Sequence, residues 1–492
     1  METVVSIKPV LAIAVSFCGV FLIIAFRKSP NRRESWTFIV ALIKFSIICS
    51  ILPPLLNGQQ LAYSLMEVLP GVQIAFKVDP LGILFALVAS SLWILTSLFS
   101  IGYMRSLKEH SQSRYYAFFA LALFSATGVA FAANLFTLYL FYEMLSLSTY
   151  PLVTHHQDAD ARFGGRKYLV YLLGTSIAFF LPAIILTYTY SETLTFSSQG
   201  ILAGKASDFA LTVIFFLFLL GIGKAAIIPI HSWLPSAMVA PTPVSALLHA
   251  VAVVKAGVFC VLRIIFDVYG IPLMSTLRLG LITLYVVSFT ILVASIFALS
   301  QDNLKARLAY STIAQLSYII LGAALLSPDG MIGGVIHIVM HGFGKITLFF
   351  CAGAILVATG KKNISEMQGL GRQMPVTMFA FFVGTLSIIG LPPLGGFISK
   401  WNLLLGTLEA RQVPILIVLL TSSLLNAAYF LPVSYQAFFA RRTPDEAAIE
   451  NRKTAEAPLL TVLPPVLTAA VSVGLFFYPD LFILLAAMAI GK

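Results

Sequence analysis

Apolar runs long enough to cross a bilayer recur from one end of this chain to the other. A hydrocarbon core about 30 Å thick takes roughly 20 apolar residues as a helix. Inside it every backbone polar group must be satisfied by the protein, which leaves helices or closed barrels as the only spanning forms. Cutting the runs at charged or Pro/Gly-rich breaks gives about fourteen spans of usual bilayer length. The charge content agrees: 10% of residues are charged and 59% are hydrophobic, against about 25% charged in a soluble protein. A soluble enzyme, a disordered chain and a nucleic-acid binder are excluded despite the net charge of +11. The expected fold is an all-α polytopic membrane protein.

Two of the runs cannot be straight helices. The run at 376–410 contains Gly390-Leu391-Pro392-Pro393-Leu394-Gly395-Gly396, where two prolines remove donors and three glycines weaken the helix. The run starting at 209 meets Pro229, Pro235, Pro241 and Pro243. The last run, 458–488, reads as a single C-terminal span. Basic residues crowd the connections after odd-numbered spans, from Arg27, Lys28, Arg32 and Arg33 to Arg441, Arg442, Arg452 and Lys453. The other side carries only Lys8, Lys77, Lys205, Arg278, Arg411 and Lys492. That asymmetry predicts a multi-pass protein with both termini outside and the odd-numbered connections in the cytoplasm. The first run is preceded only by Lys8 and followed by the basic cluster, so it reads as a retained helix and not a cleaved signal.

Cys18, Cys49, Cys260 and Cys351 sit singly in apolar runs, without metal or disulfide spacing. Gly344-Lys345 lacks both the upstream glycine and the following Ser/Thr of a phosphate-binding loop. No cofactor, metal or redox centre is expected in this chain.

A charge at mid-bilayer costs about 2.5–3.5 kcal/mol on insertion scales, and such groups commonly mark ion pathways. Six basic residues (Lys44, Lys224, Lys255, Arg263, Lys345 and Lys400) and one glutamate, Glu143, fall inside spans. Lysine suits a proton relay because burial brings the neutral form of such a side chain within reach, whereas arginine stays charged. Glu143 and Lys224 form the candidate pair, a static ion pair being the alternative. His337, His341 and Lys345 are spaced i, i+4, i+8 and share one helix face. A hydrated proton path is favoured for them over satisfied structural histidines or a metal site. His249 and Lys255 share a span but lie about 240° apart around it; Lys255 is the stronger relay candidate. Lys400 follows the Pro/Gly break and reads as a gate or terminal proton station. Lys44 reads as snorkelling, Arg263 as a structural partner of Asp267, and Asp79, Asp267 and Asp480 as interfacially exposed span ends. His155, His156, Asp158 and Asp160 share a connection that reads as a solvated loop, with a proton-collecting patch as the alternative.

Several of these stretches together resemble one family. Gly223-Lys224 through Pro229, His231, Trp233, Pro235, Pro241, Pro243, Ser245 and His249 is similar to the core signature of the antiporter-like subunits. These occur in respiratory complex I, Mrp-type multisubunit Na⁺/H⁺ antiporters and membrane-bound hydrogenases. Phe141-Tyr142-Glu143-Met144, the His337–His341–Lys345 stripe and Leu391–Trp401 match the family's other landmarks. The resemblance implies two inverted five-helix repeats, each with a broken helix: 115–269 and 270–440, after an N-terminal three-helix segment 1–114 and before a loop and C-terminal helix, 441–492. It further implies that Glu143 pairs with Lys224, that Lys255 with His249 nearby carries protons, and that Lys400 exchanges with the far side. His337, His341 and Lys345 would hydrate the connecting axis.

The function so implied is proton translocation in a multisubunit monovalent cation/proton antiporter. Length and the Leu391–Trp401 break look most like the Mrp D-type subunit, and no long lateral helix is read after residue 488. The alternative is the pumping subunit of an NADH-quinone oxidoreductase or hydrogenase. The expected partners are other membrane subunits, protons with Na⁺ or K⁺, and the lipid bilayer, but no nucleic acid.

Overall fold

A computed structural model describes residues 2–440 and 456–492. Among them, nine helices are long and apolar enough to cross a membrane, from Lys8–Ala25 to Leu459–Phe477. Asp208–Gly221, Pro375–Ile389 and Asp480–Ala489 are apolar but shorter. Runs that read as one span are divided where the backbone cannot stay helical. The run at 376–410 becomes Pro375–Ile389 and Gly395–Glu409, as its Pro/Gly content predicts. The run at 458–488 is not the single span expected: it is Leu459–Phe477 and Asp480–Ala489, parted at Tyr478-Pro479, where proline offers no amide to continue the ladder. Most of the loop expected at 441–457 lies outside the described residues.

Side-chain caps set several helix starts. Asp79, Asn134, Asp158, Ser207 and Asn303 each accept a hydrogen bond from the amide three residues on, at 2.7 to 3.3 Å, a contact worth about 1 kcal/mol. One element escaped the sequence reading: a three-stranded sheet of Glu2–Val5, Gln59–Leu69 and Val72–Lys77, the first pair parallel and the second antiparallel. Its parallel pairing joins the N-terminus to a distant hairpin, which no local pattern announces. Asn134 Nδ2 donates to the Gln73 carbonyl at 2.8 Å, fastening this sheet to the Leu135–Val153 helix.

The Pro328–Thr359 helix is the axis of the molecule. Every residue from Gly330 to Ile355 is buried, against Leu304–Ala324, Pro375–Ile389, Gly395–Glu409, Leu459–Phe477 and Pro80–Ser106. The outside is apolar instead: Phe163, Val170, Phe289 and Leu424 are large hydrophobic side chains exposed to the surroundings. An apolar exterior around a core that holds lysines and histidines inverts the soluble pattern. This is a multi-pass membrane protein.

Candidate functional site

The first helix break builds the setting of Lys224. Asp208–Gly221 ends, Gly223–Ala225 forms a tight turn, and Ala226 takes a left-handed conformation with φ 54°. Trp233 holds this turn by donating its indole N–H to the Gly223 carbonyl at 3.0 Å. The Val253–Arg263 helix passes so close that a Cβ on Gly257 would stand 2.3 Å from the Lys224 carbonyl carbon. Thus fixed, Lys224 is fully buried. Its Nζ donates to the Tyr142 carbonyl at 2.8 Å and the Ser146 hydroxyl at 2.6 Å, and lies 3.1 Å from the centre of the Tyr142 ring.

Glu143 is the next residue of the same helix, but no direct ion pair joins it to Lys224. Its Oε1 accepts from the Ser176 hydroxyl, and its Oε2 has no protein hydrogen-bond partner. The pairing implied by the family resemblance is therefore one of neighbours through Tyr142, without direct contact. Among the described residues, Lys224, Lys255, Lys345 and Lys400 all lack a carboxylate partner.

Further along, the expected groups meet directly. Lys255 Nζ lies 2.7 Å from His341 Nδ1. At that separation one nitrogen donates and the other accepts, so either an ammonium faces a neutral ring or an amine faces Nδ1–H. The two arrangements differ by one proton transfer within ordinary reach. The His341 and His337 rings stack at 5.8 Å. His337 Nδ1 meets the Ser399 hydroxyl at 2.8 Å and Nε2 meets Gln315 Oε1 at 3.0 Å. Lys400, next to Ser399, donates to the Ile389 carbonyl at 2.9 Å and Ser423 at 3.2 Å, over the Tyr318 ring. Tyr318 in turn lies 5.6 Å from the His337 ring. A file of polar groups thus runs Lys255–His341–His337–Ser399/Tyr318–Lys400. Lys345 turns to a side branch, donating to Ser311 at 2.8 Å, which also accepts from the Tyr429 hydroxyl at 3.1 Å. His249 belongs to the Leu247–Val251 turn; its side chain lies outside the described residues.

Three sequence readings need correction. Lys44 does not snorkel: it is wholly buried, donating to Ser16 at 2.7 Å and the Leu123 carbonyl at 2.8 Å near the Trp93 ring, because neighbouring helices cover the face it occupies. Asp79 and Asp267 are not free span ends. Both bind the buried Arg263, Asp267 at 2.8 Å and Asp79 through two bonds. His155 is not solvated; it is fully buried. The sequence reading also passed over Tyr142, Ser146, Ser176, Gln315, Tyr318 and Ser399. Isolated neutral polar residues in apolar runs were the available signal, but it is ambiguous: Ser90 and Thr96 look alike in sequence and bond back to their own helix.

Residues 132–426 match the family described as "NADH:quinone oxidoreductase/Mrp antiporter, TM", and residues 70–116 match the N-terminus of complex I chain 5. The N subunit of the NADH-quinone oxidoreductase of Desulforudis audaxviator is 35% identical over 398 residues, 78% of this chain and 76% of that protein. An Na(+)/H(+) antiporter subunit of Alkalihalophilus pseudofirmus is 31% identical over 84% of this chain, which spans only 53% of that relative. A probable K(+)/H(+) antiporter subunit of Rhizobium meliloti is 30% identical over 88% of this chain and 44% of its own length. In fold, the chain superposes with TM-score 0.88 on a chain of a membrane-bound sulfane sulfur reductase, an archaeal respiratory complex, at 24% identity, covering 99% of this chain and 97% of that one. A chain of the Mrp complex from a Dietzia species gives 0.87 at 22% identity with the same coverage. The chain belongs to the antiporter-like membrane subunits that NADH:quinone oxidoreductases and Mrp antiporters share.

Proposed function

We propose that this chain is a proton-translocating subunit of a multisubunit monovalent cation/proton antiporter of Mrp type. The observation that carries the reading is the buried file Lys255–His341–His337–Ser399/Tyr318–Lys400, with Lys224 and Glu143 beside it. Each member can donate or accept, and among the described residues Lys224, Lys255 and Lys400 have no carboxylate in contact. A carboxylate moving toward a buried lysine favours the ammonium, and withdrawing it favours release; Glu143 near Lys224 supplies that lever. Protons load at Lys224 and Lys255, cross the histidines and leave by Lys400, while Lys345 and His249 support the hydrated path. The basic loops face the cytoplasm, with both termini outside a bacterial or archaeal cell membrane. The two breaks, each with a lysine, support a division into repeats 115–269 and 270–440. The partners are the other membrane subunits of the assembly, and Na⁺ or K⁺ is the exchanged cation. A reconstituted complex tests this: cation gradients should drive proton movement that Lys224→Ala abolishes, and cation-independent wild-type vesicles would overturn the antiporter reading.

One observation favours a second reading. The Desulforudis oxidoreductase relative matches this chain over 76% of its own length, whereas the Alkalihalophilus and Rhizobium antiporter relatives are matched over 53% and 44%. The same relay would then be driven by redox chemistry in partner subunits, and proton movement would follow quinone reduction and not a cation gradient.

A further inference from the structure

The basic-loop face holds a second group of titratable side chains. Glu109 and His110 follow the Pro80–Ser106 helix, and His155 and His156 follow Leu135–Val153. His156 Nε2 lies 3.2 Å from Glu109 Oε1, and His155 Nε2 lies 3.7 Å from Glu109 Oε2. The His110 and His155 rings stack in parallel at 4.8 Å, and His110 lies 6.4 Å from the His156 ring. Three of the chain's seven histidines therefore surround one carboxylate. Arg114, from the next helix, holds the His155 carbonyl at 2.8 Å.

His156 also lines a cavity of about 620 Å³. Asp158, Asp160, Lys305, Lys361 and Lys362 supply the other charged groups of its wall, and Tyr103 and Pro241 line it too. Lys305 is turned to the Ala240 carbonyl at 2.6 Å. Thr242 donates to the Tyr103 hydroxyl at 3.4 Å and begins the segment that continues through Leu247–Val251 into Val253–Arg263, the carrier of Lys255. His156 thus joins the cluster to a cavity whose lining includes Pro241, next to the start of the relay segment.

We propose that Glu109, His110, His155 and His156 form a proton-collecting station that loads the relay from this face, through the cavity, toward Lys255. This rests on the proton-transport reading above. Cavity and cluster both lie outside the relay itself, and a static loop clamp would not need three imidazoles. The two best-placed rings are also biased in opposite directions. The hydrogen bond to Glu109 raises the His156 pKa above that of free imidazole, whereas burial drives His155 down to about 4. Burial opposes ionisation of Glu109, but its bond to His156 and the surrounding histidines hold it below the ordinary carboxylate value. A ring biased toward holding a proton beside one biased toward releasing it is arranged to capture a proton and pass it on.

The test compares wild type, Glu109→Gln and His156→Ala in vesicles containing the complete complex, following proton uptake against pH. Removing the carboxylate lowers the His156 pKa, so its proton is lost earlier as pH rises. The alkaline limb should move down by about one pH unit, an about tenfold lower rate on that limb, with the deficit shrinking toward acid pH. Added imidazole buffer should restore the rate by delivering protons in place of the side chain. A loss equal at every pH and indifferent to imidazole would reduce the cluster to a structural clamp, and an unshifted profile would overturn the proposal outright. Lys224→Ala in the same vesicles separates the two readings: if it transports like wild type, proton transport through the relay fails, whatever the Glu109 variant does.

Discussion

At the first break Lys224 is held by the Tyr142 carbonyl and the Ser146 hydroxyl in mid-helix, one residue from a carboxylate. At the second, Lys400 is held by the Ile389 carbonyl and Ser423, and Ile389 is the last residue of its helix. Helix-end carbonyls lack intrahelical partners and carry the negative end of the dipole. The second lysine is therefore satisfied by fixed backbone, while the first is close to a group whose charge can change. Both backbones are locked alike by a glycine. Gly257 presses on Lys224, and a Cβ on Gly396 would stand 1.8 Å from the Ser387 carbonyl oxygen. The same device thus holds two lysines of different temperament: one built to be coupled, the other to be a stable terminus.

Removing the coupled element should break that contrast most sharply. Glu143→Ala or Lys224→Ala should lower cation-dependent proton transport about a hundredfold or more, the scale of a lost proton-transfer group, while the complex remains assembled. Normal transport by well-assembled Glu143→Ala would make the carboxylate irrelevant and erase the difference between the breaks. Lys400→Arg comes next. It keeps a cation against the Ile389 carbonyl but cannot release a proton, so transport should fall about tenfold or more, read as initial rates in vesicles. Full activity would make Lys400 a helix-end anchor.

How much of this was legible beforehand follows from range. The Pro/Gly break before Lys400 and the face shared by His337, His341 and Lys345 are local patterns, and the structure has both. The Lys255–His341 contact joins residues 86 apart, and no periodicity foretells it. Lys44 misled because snorkelling depends on whether a helix side meets lipid or protein, which is decided by its neighbours. The small sheet was hidden for the same reason, its parallel pairing being non-local. His155 looked like a loop residue until its burial under Arg114 and the His110 ring was seen.

Packing changes should be weaker and should rank by distance. Gly396→Ala must displace the Ser387 carbonyl and Gly257→Ala the Lys224 backbone, with overpacking costs of about 1–3 kcal/mol. The thermal stability of the purified complex should fall more for Gly396→Ala, where the intrusion is deeper. Gly257→Ala should lose more transport per degree of melting temperature, because the backbone it displaces carries the coupled lysine. Equal ratios for the two would mean that Lys224 tolerates displacement as well as any structural residue.

The smallest effect probes the neutral oxygens. Ser146→Ala removes a 2.6 Å bond to Lys224, and Ser423→Ala a 3.2 Å bond to Lys400, each about 0.5–1.5 kcal/mol net. Ser146 is wholly buried, so losing it leaves Lys224 with only the Tyr142 carbonyl and ring and makes the ammonium harder to hold. Its dependence on Glu143 should therefore deepen, and Ser146→Ala combined with Glu143→Gln should lose more than the two single effects added. Ser423→Ala has no such neighbour to lean on, and its effect should add independently to that of Glu143→Gln. A double-mutant cycle on transport rates reads both couplings; coupling at Ser423 as large as at Ser146 would show that the second lysine also answers to the carboxylate.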